Sequence, residues 1–478
     1  MPKPPVSRHS GAPVGKGGSP GNAAAIFGKS RNLAPLLSVE QSPDVPTSIF
    51  GVELPREWKR VPIATHYRIT KKPKELKPQA DRSLPFIPME AVPTNGQMVC
   101  KFELRKLAEI KSGIYFESGD ILLSKITPSF ENGKQGMACG LPEKFGYGST
   151  EIIPLQAITT EASNIYLFYL LLQHEIRELL TGKMEGSTGR KRVPESAIRN
   201  LEIPLPPKPE QEKIAAVLWK VQRAIATQDR LIAATRDLKA SAMQRLFTHG
   251  LHNEPLKDTE IGPVPEGWEL EILGNIAETT SGGTPNRSET KYYNGNILWV
   301  KSGELNDGYI EDTEEKITTE GLRHSSAKLF QPGTLLIAMY GATVGKTAIL
   351  EVAAATNQAV CAIFTSPEKV DSEFLRYSLI YDRPELLSRR YGGAQPNISQ
   401  TVIRNFTIRC PSLEEQRAIA AALATLDRKL AYHRKKRAAL NDLFQTLLHK
   451  LMTAKIRVNR LDIDTSEIVQ SLIQGVAT

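Results

Sequence analysis

Two stretches of the chain place their apolar residues at alternating steps of four and three. The first passes through Ile214, Leu218, Val221, Ile225, Ile232 and Leu246, with Gln228, Thr235, Lys239 and Ala242 at the remaining steps. The second passes through Ile419, Leu423, Leu426, Leu430, Leu440, Phe444, Leu447 and Leu451, with His433 and Arg437, each 205 positions after its counterpart. A 4-3 spacing is the seam of a coiled coil, so each stretch is predicted to be one long helix. From Ile214 to Leu246 it spans about 50 Å at 1.5 Å per residue. Ser412-Leu-Glu-Glu415 fits a capping box at the start of the second helix. Pro207 and Pro209 are tolerable only in the first turn of the other, and Gly250 is a plausible stop for it. Matching registers favour the two helices packing on each other over separate burial in two domains. The polar seam residues Gln228, Thr235, Lys239, His433 and Arg437 would then fix the register at some cost in stability.

The same offset extends beyond the seam. Residues 198–223 and 403–428 agree at twelve of 26 positions, including Ile198/Ile403, Arg199/Arg404, Asn200/Asn405, Glu210/Glu415 and Gln211/Gln416. A period near 205 is too long for a solenoid and reads as a duplicated unit of one domain and one helix. The two units also open alike, on Leu54-Pro-Arg-Glu-Trp58 and Val264-Pro-Glu-Gly-Trp268. Short apolar runs at 120–124 and 334–338 predict strands. Residues 161–181 and 371–391 predict one helix each, in equivalent places. The expected fold is α+β, with two mixed α/β domains separated by two long helices. Its parts are a flexible leader (1–50), a domain (51–206), a long helix (207–250), a second domain (251–411), a second long helix (412–457) and a tail (458–478).

Composition narrows the function. Apolar residues are 40% and charged residues 24%, ordinary for a chain with a buried core. No run of 18 apolar residues exists, so no membrane partner is expected, and the Pro- and Gly-broken N-terminus does not read as a signal peptide. Cys100, Cys139, Cys361 and Cys410 stand far apart, against a zinc or disulfide framework, and a cytoplasmic location follows. Lys and Arg number 61 against 52 Asp and Glu, a net charge of +9. That excess points to a polyanion, with nucleic acid the commonest.

Catalytic patterns are missing. Gly341-Ala-Thr-Val-Gly-Lys-Thr347 approaches a phosphate-binding P-loop, but Tyr340 stands where its first Gly belongs. No metal-binding pair or nucleophile–base set is present, so the chain is expected to be no enzyme and to hold no metal. The loops instead offer groups suited to DNA. The first domain has Lys71, Lys72 and Lys74 within a basic run, Lys125 and Lys134, and Gly189-Arg190-Lys191-Arg192. The second has Arg287, Lys291, Tyr292, Lys301, Thr343, Lys346, Asn357, Gln358, Gln395 and Asn397. Arg and Lys suit phosphates and guanine, and Asn and Gln suit adenine. Solvated loops are the plainer alternative for any one of them.

These features resemble the specificity subunit of type I restriction–modification systems. The residues carrying the likeness are Pro265-Glu-Gly-Trp268, Thr280-Ser-Gly-Gly-Thr-Pro285, Trp299-Val-Lys-Ser-Gly303, Gly341–Lys346, Asn357-Gln358 and the Glu-Gln-x-x-Ile-Ala stretches at 210–215 and 415–420. The first domain departs from the pattern, with Lys71-Lys-Pro-Lys74 at the Ser-Gly-Gly-Thr turn and residues 127–134 at the Gly-Lys loop. The resemblance implies two target-recognition domains, each reading half of a split double-stranded DNA site. An antiparallel coiled coil would hold them apart. Two DNA methyltransferase subunits and restriction/translocase subunits are the implied partners. S-adenosylmethionine, ATP and magnesium would belong to those partners, with no cofactor in this chain. A stand-alone bipartite DNA-binding regulator is the alternative.

Overall fold

The computed structural model describes residues 51, 53–94, 96–187, 189–389 and 397–473. The 1–50 leader and Gln395 lie outside the described residues.

Both long helices form where the 4-3 pattern places them, over Lys208–His249 and Leu413–Met452. After the first turn neither contains Gly or Pro, so nothing interrupts its ladder of hydrogen bonds. They run antiparallel: Asp229 pairs with Arg437, and Lys239 with Asp427 at 2.6 Å. Every seam position is buried or half-buried, whereas Leu231, Leu238 and Tyr432 between them face solvent. Toward each end the seam sinks into a domain core. Ile214, Leu218 and Trp219 join Phe444, Leu448 and Leu451, while Phe247 joins Ile419 and Leu423 at the other end. Full burial of a leucine such as Leu218 or Leu423 is worth about 1.5–3 kcal/mol.

The two domains repeat one topology. In the first, Tyr67–Ile69, Ile152–Ala157, Ile121–Ser124 and Gln135–Met137 form one antiparallel sheet in that order. In the second, Ala277–Ser281, Val360–Thr365, Leu335–Ala338 and Thr347–Leu350 do the same, with Gly308–Ile310 added at the edge. A second sheet follows in each domain. It comprises Glu103–Lys106, Ser83–Ile87, Phe145–Gly148 and Ile114–Glu117 in one case. Lys316–Ile317, Tyr293–Val300, Ala354–Thr356 and Leu329–Phe330 form it in the other. The middle pair of that sheet is parallel both times. A two-strand clasp then closes each domain, Lys59–Pro62 on Glu202–Leu205 and Glu269–Ile272 on Thr407–Cys410.

The repeated Glu-Gln pair fastens each domain to its helix. Trp58 Nε1 donates to Glu210 Oε2, and Trp268 Nε1 to Glu415 Oε2, both at 3.1 Å. Gln211 Oε1 accepts from the Ser163 N–H at 3.0 Å, as Gln416 Oε1 does from Asp371 at 2.9 Å. Each glutamate also receives the segment that leaves the opposite helix. Leu251 N donates to Glu415 Oε1 at 2.8 Å, and Arg457 Nε to Glu210 Oε1 at 2.7 Å. The ends of the two helices are thereby cross-tied.

Three local expectations change. The Ser412 hydroxyl accepts from Glu415 N at 3.3 Å, but the Glu415 carboxylate serves Trp268 and Leu251, so only half of the capping box forms. Each single helix expected before the repeated segment is two. Asn164–Leu170 precedes His174–Thr181, and between them Gln173 Nε2 donates to Leu448 O on the second long helix at 2.7 Å. Ser372–Tyr381 precedes Arg383–Ser388, where Pro384 favours a fresh helix start. After residue 457, the expected tail packs on the first domain. Val458 and Ile468 are buried in its core, and Ser466–Ile473 is a helix.

Candidate nucleic-acid interface

In the second domain, loops from both sheets meet at one margin. Gly283 N donates to Thr356 O at 2.9 Å, Trp299 Nε1 to Gly283 O at 3.1 Å, and Asn357 N to Val300 O at 3.0 Å. A Cβ at Gly282 or Gly283 would collide with Thr356 or with Ser326 and Ala327, which is why this turn needs glycine. The Thr284 hydroxyl donates to Gln358 Oε1. Asn357 Oδ1 accepts from Ala359 N at 3.1 Å, closing its turn. The side-chain nitrogens of both amides are left as donors.

The Gly341–Lys346 loop joins two antiparallel strands, Leu335–Ala338 and Thr347–Leu350. A P-loop feeds a helix, so this geometry is a hairpin and no phosphate cradle of that kind. Thr343 Oγ1 donates to Ser302 O at 2.6 Å, which bends the loop over the residue after Lys301. Tyr340 bridges to Asn397, bringing the 397 segment alongside. The Asn397 side-chain oxygen is buried with no hydrogen-bond partner. Lys346 makes no ion pair among the described residues.

Three further expected cations of this domain are paired with carboxylates. Arg287 pairs with Glu315 at 2.6 Å, Lys301 with Glu314 at 2.9 Å and Glu315 at 3.1 Å, and Lys291 with Glu320 at 2.7 Å. Those hydrogen bonds push the Lys291 and Lys301 ammonium groups up and hold the Glu315 and Glu320 carboxyls down. Tyr292 stacks on His324 with ring centres 6.0 Å apart.

The first domain brings matching positions together with different residues. Its 125–134 loop likewise joins two antiparallel strands, Ile121–Ser124 and Gln135–Met137. Ile126 bridges to Arg192, the counterpart of the Tyr340–Asn397 bridge, and Thr127 N donates to Lys191 O at 3.0 Å, so the 190–192 segment lies alongside the loop that carries Lys125 and Lys134. Arg192 itself makes a two-pronged contact with Glu151 at 2.7 and 2.8 Å, which holds the Glu151 carboxyl below its usual range. Lys71, Lys72 and Lys74 are exposed, with no side-chain ion pair or hydrogen bond among the described residues.

Two supporting arginines went unnoticed in the sequence. Arg177 donates through its NH2 to Gln135 Oε1 at 2.6 Å and through NH1 to Phe130 O, behind the first loop. Burial pulls its guanidinium down to about 10, still charged at neutral pH. Arg383 Nε donates to Gly345 O at 2.9 Å behind the second loop, and its NH2 meets Asp307 Oδ1. Asp307 in turn accepts from Thr347 N at 3.0 Å. The recurring Arg177-Glu-Leu-Leu180 and Arg383-Pro-Glu-Leu-Leu387 was the signal available.

Comparison with known proteins agrees with the duplication. Residues 55–234 and 265–442 each match the family model described as the type I restriction modification DNA specificity domain. The chain is similar to the type I restriction enzyme MjaVIII specificity subunit of Methanocaldococcus jannaschii, with 29% identity over 329 residues, 67% of this chain and 76% of that one. It is also similar to the putative MjaX specificity subunit of the same organism, with 28% identity over 343 residues, 71% and 79%. In fold it is similar to the crystal structure of the type I restriction–modification system S subunit from M. genitalium, with a TM-score of 0.55, 18% identity, and 84% and 96% coverage.

Proposed function

The chain belongs to the type I restriction–modification DNA specificity family, and on that premise we propose that it reads a DNA site in two halves, one per domain. The observation that carries this is the repetition of one topology at the two ends of an antiparallel helix pair. Two copies related in this way present equivalent loop margins, and the unread gap falls between them. Free lysines at those margins supply sequence-independent grip on phosphates, while Asn and Gln amides and exposed guanidinium groups suit base edges.

Further parts of the reading rest on the family. Two DNA methyltransferase subunits and the restriction/translocase subunits assemble on this chain, and its role among them is recognition without catalysis. S-adenosylmethionine, ATP and magnesium serve those partners in the cytoplasm. No described helix is long and apolar enough to cross a membrane.

Domain exchange tests the proposal. Residues 251–411 are replaced with the corresponding domain of a relative, and the methylated motif of the host genome is sequenced. One altered half-site beside one unchanged half-site is the expected result. Simultaneous change of both halves would defeat the assignment of one reader per domain.

A further inference from the structure

The second sheets of the two domains can be superposed residue by residue from their pairing. Phe116 faces Gly146 as Phe330 faces Ala354. Phe86 then pairs in parallel with Tyr147 as Trp299 does with Ala355, which makes Phe86 and Trp299 equivalent. The next contact agrees: Ser149 N donates to Ile87 O at 3.0 Å, as Asn357 N does to Val300 O at 3.0 Å. On the neighbouring edge strand, Glu103 lies opposite Phe86, and Glu315 O accepts from Trp299 N at 3.2 Å. Glu103 and Glu315 are therefore equivalent too.

A guanidinium sits over each of these rings. Arg287 lies 4.9 Å from the Trp299 ring centre and 4.7 Å from that of Tyr293, paired with Glu315. Arg105 lies 3.9 Å from the Phe86 ring centre, paired with Glu103. Yet the two arginines come from different places. Arg287 leaves the Gly-Gly turn that the first domain lacks, whereas Arg105 stands on the edge strand two residues after Glu103. That spacing puts both side chains on one face of a strand. The same three-part arrangement of ring, carboxylate and arginine is thus built twice from unrelated sequence. Both guanidinium groups remain reachable, with side-chain exposures of 39% for Arg105 and 55% for Arg287.

We propose that Arg105 is a specificity-determining residue of the first domain, reading a guanine edge in its half-site as Arg287 does in the other. The inference rests on the proposed DNA-reading function and deepens it. The ring fixes the plane of the guanidinium and the carboxylate engages one edge, so the remaining N–H groups form a pre-aimed fork. A fork of this kind matches guanine O6 and N7. The lysines at 71–74 have no such aim and serve phosphates. Arg105 is also the guanidinium that compensates for the missing Gly-Gly turn.

The test is selection of duplexes from a randomised library by the full-length chain and by Arg105→Ala, Arg105→Lys and Arg287→Ala. The parent should select a two-part motif. Both Arg105 variants should relax one base position in one part, with about a ten- to hundredfold loss of preference, an unchanged salt slope and the other part intact. Arg287→Ala should relax a position in the opposite part. The lysine variant keeps the ion pair with Glu103, so it decides the matter should the alanine variant fail to fold. An intact motif in Arg105→Lys, or uniform weakening with a shallower salt slope, would overturn this inference alone. A parent that selects no motif would overturn the DNA-reading function with it.

Discussion

His433 Nδ1 lies 2.9 Å from Gln228 Oε1, and these two residues occupy the same position in the two copies of the repeat. Equivalent residues of an antiparallel pair meet only at its centre, so this contact marks the axis relating the two halves. It is a polar pair inside the seam, where Ile225 and Ile232 flank Gln228 and Leu430 and Arg437 flank His433, and Gln228 is 5% exposed. His433→Leu alone should cost about 1–3 kcal/mol, because the Gln228 amide is left buried without its partner. Replacing both by leucine should recover or exceed the parent stability while loosening the register. Denaturant unfolding of the two singles and the double checks this. A single variant as stable as the parent would show the pair to be idle.

Gly250 ends the first long helix at φ 65 and ψ −168. A Cβ there would come within 2.8 Å of Glu415 Oε1 and 3.3 Å of Trp268 Nε1. Gly250→Ala should therefore combine backbone strain of about 1–3 kcal/mol with damage to the Glu415 clasp. Gly262→Ala, at φ 95 with nothing within 4 Å, isolates the strain. Thermal unfolding should rank Gly250→Ala below it.

Asp120 is fully buried, and that burial raises its carboxyl from 3.8 to about 7. The folded chain then holds a proton between those values that the unfolded chain has released. Its contribution to stability declines as pH rises from about 4 to 7 and is an outright penalty above. Asp120→Asn keeps an acceptor for Glu117 N, which Asp120 Oδ2 now engages at 2.9 Å. The variant should outlast the parent above pH 7, by a margin on the order of a few kcal/mol, and lose that margin near pH 4. Equal pH profiles for the two proteins would show that Asp120 ionises freely.

The helix pair should act as a ruler. Seven residues inserted in both helices keep the seam in phase and add about 10 Å at 1.5 Å each, on the order of 3 base pairs. Methylome sequencing should find the same half-sites with a wider gap. Four residues added to one helix alone should misalign the seam and destabilise the chain. An unaltered gap in the double insertion would mean that something else sets the spacing.

Periodicity made the long helices legible, because a 4-3 seam repeated over tens of residues leaves few alternatives. The duplicated domains were legible for a related reason: the same Glu-Gln, Ile-Arg-Asn and Trp signals appear at both ends. Their roles were not. Glu210 and Glu415 look like ordinary first-turn acids, and only the fold brings Trp58 and Trp268 to them across 152 and 147 residues. The interface was read by residue type, and type does not reveal partners. Arg287, Lys291 and Lys301 read as free cations until Glu314 and Glu315, from the loop before Lys316–Ile317, and Glu320, from the helix Thr319–Arg323, are brought to them. Arg177 and Arg383 were overlooked because a positively charged residue in an amphipathic helix normally faces water.

Arg457 touches Glu57 at 3.5 Å as well as Glu210, so the chain returns after its last long helix to the place where its first domain began. Among the described residues the path of the chain thus closes on itself but for a single nick. Where the nick falls is a matter of genetics more than of mechanics. A gene opened at 251, with the 458–473 segment kept and joined back to 54, would string the same parts in another order and restore the same contacts. Two shorter messages, one for each half, would do so by pairing two chains about the axis that His433 and Gln228 mark.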